Sequence, residues 1–224
     1  MPAMEEISFT MAWHGRLMVF AWAVLIPIGI IVTRFFKVLP TQKWPEELDN
    51  PTWWRTHLFL HYTAVGITLL ALCLILVDAG DLFRHSNWHR FFGWSTVSLC
   101  CLQVFSGLLR GSKGGPGDPR GLFGDHYNMT LRRRVFEAVH KSNGYLLLFL
   151  ACISIQSGLM ASHAPAWMPV TITIWWACLI IAFFQMQRRG FQVDTYAAIW
   201  GHKASEPEQQ PGTSATEERR EHMK

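Results

Sequence analysis

Five long apolar stretches restrict this chain more than any other feature: roughly 11–34, 54–77, 88–109, 138–160 and 166–187. Each approaches the roughly 20 residues a helix needs to cross the hydrocarbon core of a bilayer. The first contains "LMVFAWAVLIPIGIIVT", Leu17 to Thr33, without a charge, and the last contains "PVTITIWWACLIIAFF". In lipid a segment must satisfy its own backbone polar groups, which makes each stretch a helix. Pro27 lies inside the first and predicts a kink that a membrane helix tolerates. Composition agrees. Half of the 224 residues are hydrophobic and 16% are charged, against about 25% in a soluble domain. The expected fold class is all-α: an integral membrane protein of five transmembrane helices, four forming a core and one peripheral.

The connections predict topology. Arg34, Lys37, Lys43 and Arg55 surround the connection after the first span. Arg110, Lys113, Arg120, the Arg132–Arg134 run and Lys141 surround the one after the third, and the C-terminal segment holds a further group. Only Arg16, Arg84 and Arg90 fall on the other side. Basic residues favour the cytoplasmic side, so the N-terminus is expected outside and the C-terminus inside. The net charge of +4 is then a topology signal, and no nucleic-acid partner is expected. Residues 1–10 form a short extracytoplasmic start, 11–187 the membrane domain, and 188–224 a cytoplasmic amphipathic segment and disordered tail. No cleavable signal peptide is expected, since the first ten residues carry Glu5 and Glu6 and no Lys or Arg. All five cysteines fall in apolar runs without a C-x-x-C spacing, so covalent c-type haem attachment is not expected.

Five of the ten histidines lie within spans: His14, His57, His61, His89 and His140. Ionisable residues at membrane depth are costly and usually functional. His14 and His89 start two inward-running spans, at the outer boundary. His57, His61 and His140 stand near the inner ends of two outward-running spans. Each level therefore joins alternate spans of a four-helix bundle, the usual setting of a cofactor site between facing helices. Two opposed imidazoles can clamp a flat porphyrin as the axial ligands of a b-type haem. The predicted pairs are His14 with His89, and His61 or His57 with His140; His61 is preferred because it is deeper. Helical rise puts the two levels roughly 20 Å apart. His89 and His140 each precede a glycine by four residues, in "HRFFGW" and "HKSNGY". Gly93 and Gly144 share a helical face with those histidines and are expected to leave room for a ring.

These residues resemble the cytochrome b561 family, above all the membrane half of its DOMON-linked and ferric-chelate-reductase-like members. The resemblance rests on "HGRLMVFAWAVLIPIGIIVTRFFK", "FLHYTAVG", "HRFFGW…LQVFSGLLR" and "VHKSNGY", in that order over roughly 12–160. It selects His61 over His57. It implies two non-covalent haem b groups, with His14 and His89 as iron ligands of one and His61 and His140 of the other. It also implies transmembrane electron transfer, often by a homodimer, from a small reductant (ascorbate or quinol) to an acceptor such as ferric iron or a redox protein. Only about ten residues precede the first span, which suggests a bacterial inner-membrane protein. Lys37, Lys43, His57 and Arg132 are candidates for the substrate side of the inner site. Asp125 and His126 in "GDHYNM" form a weaker metal or proton-site candidate, and 191–201 reads as an amphipathic segment on the inner surface. Two other classes fit a five-span chain: a haem-bearing anchor subunit of a larger oxidoreductase, and a non-redox transporter, which leaves the depth-matched histidines unexplained.

Overall fold

The computed structural model describes residues 7–77, 87–110 and 131–201. They form α1 (Phe9–Phe35), α2 (Thr52–Val77), α3 (Asn87–Leu108), α4 (Leu131–Ala161), α5 (Trp167–Arg188) and a short α6 (Thr195–Trp200). The first five are long and apolar enough to cross a membrane. The chain is thus an all-α integral membrane protein. His85, Asp125, His126, His202 and His222 lie outside the described residues.

Ser8 caps α1 by accepting from the Met11 N–H at 3.2 Å. The predicted irregularity at Pro27 takes a specific form: the helix winds as a π turn over Phe20–Leu25. Proline has no N–H, so the Ala23 carbonyl four residues earlier loses its α-helical donor. Trp175 on α5 supplies one, donating from Nε1 at 2.8 Å. The break in α1 thereby becomes the fastening point of the fifth helix.

The core is two antiparallel helix pairs. In the first, Trp22 of α1 donates from Nε1 to Thr68 Oγ1 on α2 at 3.0 Å, and Thr68 donates to the Ala64 carbonyl at 2.8 Å. In the second, Asn143 of α4 donates to the Leu99 carbonyl of α3 at 3.1 Å. The pairs meet along α1 and α4, where Ala21, Trp22, Ala23, Ile26, Leu147, Ala151 and Ile155 form the buried centre with Ala64 of α2. Alanine predominates because close backbone approach, rather than hydrophobic exclusion of water, holds membrane helices together. Large apolar side chains turn outward instead: Phe59 is 69% exposed and Phe105 64%, as a lipid-facing surface requires.

α5 packs on α1 through Phe35 and Phe183, ring centroids 5.0 Å apart, and on α4 through Gln156 and Thr173 at 3.1 Å. α6 starts at Asp194, whose carboxylate accepts from the Tyr196 N–H at 2.7 Å. Tyr196, Ala197, Ala198 and Ile199 are buried. The Asp49 N–H donates to the Ala198 carbonyl at 3.1 Å, so this part of 191–201 packs against the α1–α2 connection.

Candidate functional site

His14 sits in the second turn of α1 and His89 in the first turn of α3. Their ring centroids are 6.2 Å apart and their planes stand at 89°. Each ring is held by a helix on its far side. His14 Nδ1 lies 2.9 Å from the Ala71 carbonyl of α2, and His89 Nδ1 lies 2.9 Å from the Ser154 carbonyl of α4. A carbonyl only accepts, so Nδ1 carries the proton in both rings and Nε2 keeps its lone pair. The two rings open on a cavity of about 200 Å³, whose wall includes Met18, Trp22, Leu76 and Gly93.

At the other end the same anchoring recurs with different partners. His61 Nδ1 lies 2.9 Å from the His57 carbonyl of its own helix. His140 Nδ1 lies 2.8 Å from Ser106 Oγ, and Ser106 donates to the Gln103 carbonyl at 2.8 Å. With the hydroxyl proton so directed, Ser106 accepts from His140. Nδ1 is engaged in all four rings, so Nε2 is the nitrogen of each that could serve as a metal donor.

His57 occupies a different place. Its ring is wedged between Trp54 (centroids 5.7 Å, stacked) and His61 (4.1 Å, tilted). The Arg110 guanidinium covers the Trp54 ring at 4.1 Å. Among the described residues, His57 Nδ1 is buried without a hydrogen-bond partner. The structure therefore sets His57 behind His61, packing the ring whose Nδ1 its own carbonyl holds.

Two glycines unrecognised in the sequence touch the rings. A Cβ on Gly158 would sit 2.9 Å from both Cε1 and Nδ1 of His89, and one on Gly29 would sit 2.7 Å from His61 Nδ1. Both contacts are shorter than real side chains show, so only glycine admits the imidazoles there. Gly93 lines the cavity beside His14 and His89, with a Cβ position 3.5 Å from Ser154 Oγ; the Cβ position of Gly144 is 3.2 Å from Gln103 Nε2. The available signal was depth: in antiparallel pairs, Gly29 stands level with His61 and Gly158 level with His89.

Of the basic candidates, Lys37 donates from Nζ to the Val193 carbonyl at 3.0 Å, and Arg132 donates to the Leu109 carbonyl. Lys43 is exposed on the α1–α2 connection. Burial pushes the Lys37 ammonium down to about 8, against the opposing pull of Asp194. All three lie at the His61 end.

The profile of the family described as "Eukaryotic cytochrome b561" matches residues 13–165, a span holding α2–α4, all but the first turn of α1, and His14, His57, His61, His89 and His140. Ferric-chelate reductase 1 of Homo sapiens is 27% identical over 146 residues, covering 65% of this chain and 22% of that protein. A cytochrome b561, DM13 and DOMON domain-containing protein of Arabidopsis thaliana is 22% identical over 155 residues, 69% of this chain and 15% of that protein. A putative ferric-chelate reductase 1 homolog of Drosophila melanogaster is 29% identical over 159 residues, 69% and 21% respectively. The chain thus spans about a fifth of the length of such relatives. No solved structure matches it. With five membrane-crossing helices and a family match over most of its length, the chain belongs to the cytochrome b561 family, whose work is haem-based electron transfer in a membrane.

Proposed function

We propose that the chain is a dihaem b-type cytochrome that carries electrons across the bilayer. His14 and His89 would hold one haem and His61 and His140 the other, all through Nε2. The observation that carries this reading is the common engagement of Nδ1 in all four rings. Such outer partners fix the tautomer and orient the ring toward a metal. The spacing supports it too. Two imidazoles that would hold one metal ion between them must stand close to each other. The His14–His89 separation is 6.2 Å. Haem, when bound, supplies a one-electron ferric/ferrous couple.

The protein contributes placement. His14 and Gly29, the residue against His61, are separated on α1 by about 22 Å of helix rise, so the two sites lie toward opposite membrane surfaces. Alanine-lined helix contacts and lipid-facing aromatics keep water from the path between them. The bias of basic residues supports a cytoplasmic His61 end and an outside N-terminus. The relatives named above are from animals and a plant, so this orientation is proposed without a bacterial setting. A small reductant, ascorbate or quinol, would meet one end, and ferric iron or a redox protein the other; similarity to ferric-chelate reductase 1 supports iron as acceptor. Lys37, Lys43, His57 and Arg132 would lie on the substrate side of the His61 end, and a homodimer is the proposed assembly.

The test is spectroscopic. Purified protein should show reduced-minus-oxidised b-type bands and about two haems per chain. His14→Ala or His89→Ala should remove one haem, and His61→Ala or His140→Ala the other. Replacement of any of these that leaves both haems in place would sink the assignment. Because the match covers only about a fifth of those relatives, a second reading is an electron-transfer subunit of a larger oxidoreductase. It predicts that reductant alone leaves the haems oxidised until a partner is added.

A further inference from the structure

Three of the four ring anchors are backbone carbonyls: Ala71, Ser154 and His57. His140 alone among the four is anchored by a side chain, the Ser106 hydroxyl at 2.8 Å. That hydroxyl belongs to a neutral network joining α3 to α4. Ser106 donates to the Gln103 carbonyl at 2.8 Å, Gln103 Nε2 donates to the His140 carbonyl at 2.9 Å, and Asn143 Nδ2 donates to Gln103 Oε1 at 2.8 Å. The network fixes the register of the two helices around His140 and turns a lone pair of Ser106 toward Nδ1.

We propose that Ser106 is the positioning residue of His140 and sets the redox potential of the site His140 serves, without touching that of the His14–His89 site. The proposal rests on the reading of His140 as an iron ligand. An acceptor on Nδ1–H pushes electron density into the ring and makes Nε2 a stronger donor, which favours the ferric state. Removing the acceptor leaves a buried N–H unpaired, weakens the donor and favours the ferrous state. Outer partners of this kind typically change metal affinity or activity 10–100-fold. Because the other three anchors belong to the backbone, this is the site where a side-chain replacement can remove the acceptor outright.

The test is a redox titration of the full-length haem-loaded protein, comparing wild type with Ser106→Ala, Ser106→Thr and His140→Ala. In Ser106→Ala both haems should remain. One of the two midpoint potentials should rise by about tenfold in the ferrous-to-ferric ratio, about 59 mV for a one-electron couple, while the other stays in place. Ser106→Thr keeps the hydroxyl and should keep both potentials. Unmoved potentials in Ser106→Ala, or an equal shift in Ser106→Thr, overturn the proposal. If Ser106→Ala cannot retain the second haem, its recovery in Ser106→Thr supports the role of the hydroxyl, and its loss there overturns it. His140→Ala separates the two possible failures. A full haem complement in that variant overturns the ligand assignment itself. One missing haem there, with Ser106→Ala unmoved, overturns the role of Ser106 alone.

Discussion

At the scale of single residues, Gly158 and Gly29 make one prediction and Gly93 the opposite. Gly158→Ala would put a methyl 2.9 Å from His89, and Gly29→Ala one against His61. The ring must leave its anchor or the helices must part, at a cost of about 1–3 kcal/mol for such overpacking. Each variant is expected to lose one haem, read as the haem-to-protein ratio. Gly93→Ala meets only ordinary contact with Ser154 at 3.5 Å, and it should keep both haems. Equal haem contents in Gly158→Ala and Gly93→Ala would contradict this. Lys37 makes a prediction in pH. Its folded-state pKa is about 8 because of burial, below the ordinary value of 10.5. Below 8 both folded and unfolded chains carry the charge, and the burial penalty is fully present. From 8 to 10.5 the folded chain loses its proton while the unfolded chain keeps it, so stability rises with pH. In detergent, the Tm of wild type should rise across this window relative to Lys37→Met; parallel profiles would remove Lys37 as the cause.

At the scale of elements, α1 is the most informative helix. Pro27 was legible as an irregularity, because a missing N–H is a property of the residue. Its resolution as a π turn with Trp175 serving the Ala23 carbonyl was not, because the donor comes from 152 residues away. Trp175→Phe would leave that buried carbonyl short of a donor, costing about 1–3 kcal/mol. A lower Tm with unchanged haem content is expected, since α5 carries none of the four histidines. Loss of haem in this variant would mean that α5 helps shape the sites. The segment 191–201 also shows what a local pattern leaves open. Its apolar residues read equally well as a membrane-surface face or a protein-facing one, and burial of Tyr196 to Ile199 beside the α1–α2 connection puts them against protein.

At the scale of the whole molecule, each proposed site takes one histidine from the α1–α2 pair and one from α3–α4. Bound haem would therefore clamp two hairpins that otherwise meet mainly along α1 and α4. A ligand that binds only the folded state stabilises it by about 4.1 kcal/mol per site at a thousandfold excess over Kd. Protein made under haem deprivation should unfold at a clearly lower temperature than the loaded form, and adding haem should restore it. Identical melting curves would show that the helix contacts alone set the stability.

Sequence by itself determined the number of spans, the levels of His14, His61, His89 and His140, and the family motifs around them. Those are one-dimensional quantities: helical rise per residue is constant, so position along the chain becomes depth. The tertiary structure decided what lies sideways. It set Gly29 and Gly158 against the rings, aimed Ala71, Ser154, His57 and Ser106 at Nδ1, and tucked His57 behind His61. Such neighbours depend on how far each helix is rotated about its own axis. That rotation follows from side-chain packing between helices distant in sequence, which no local pattern of residues records.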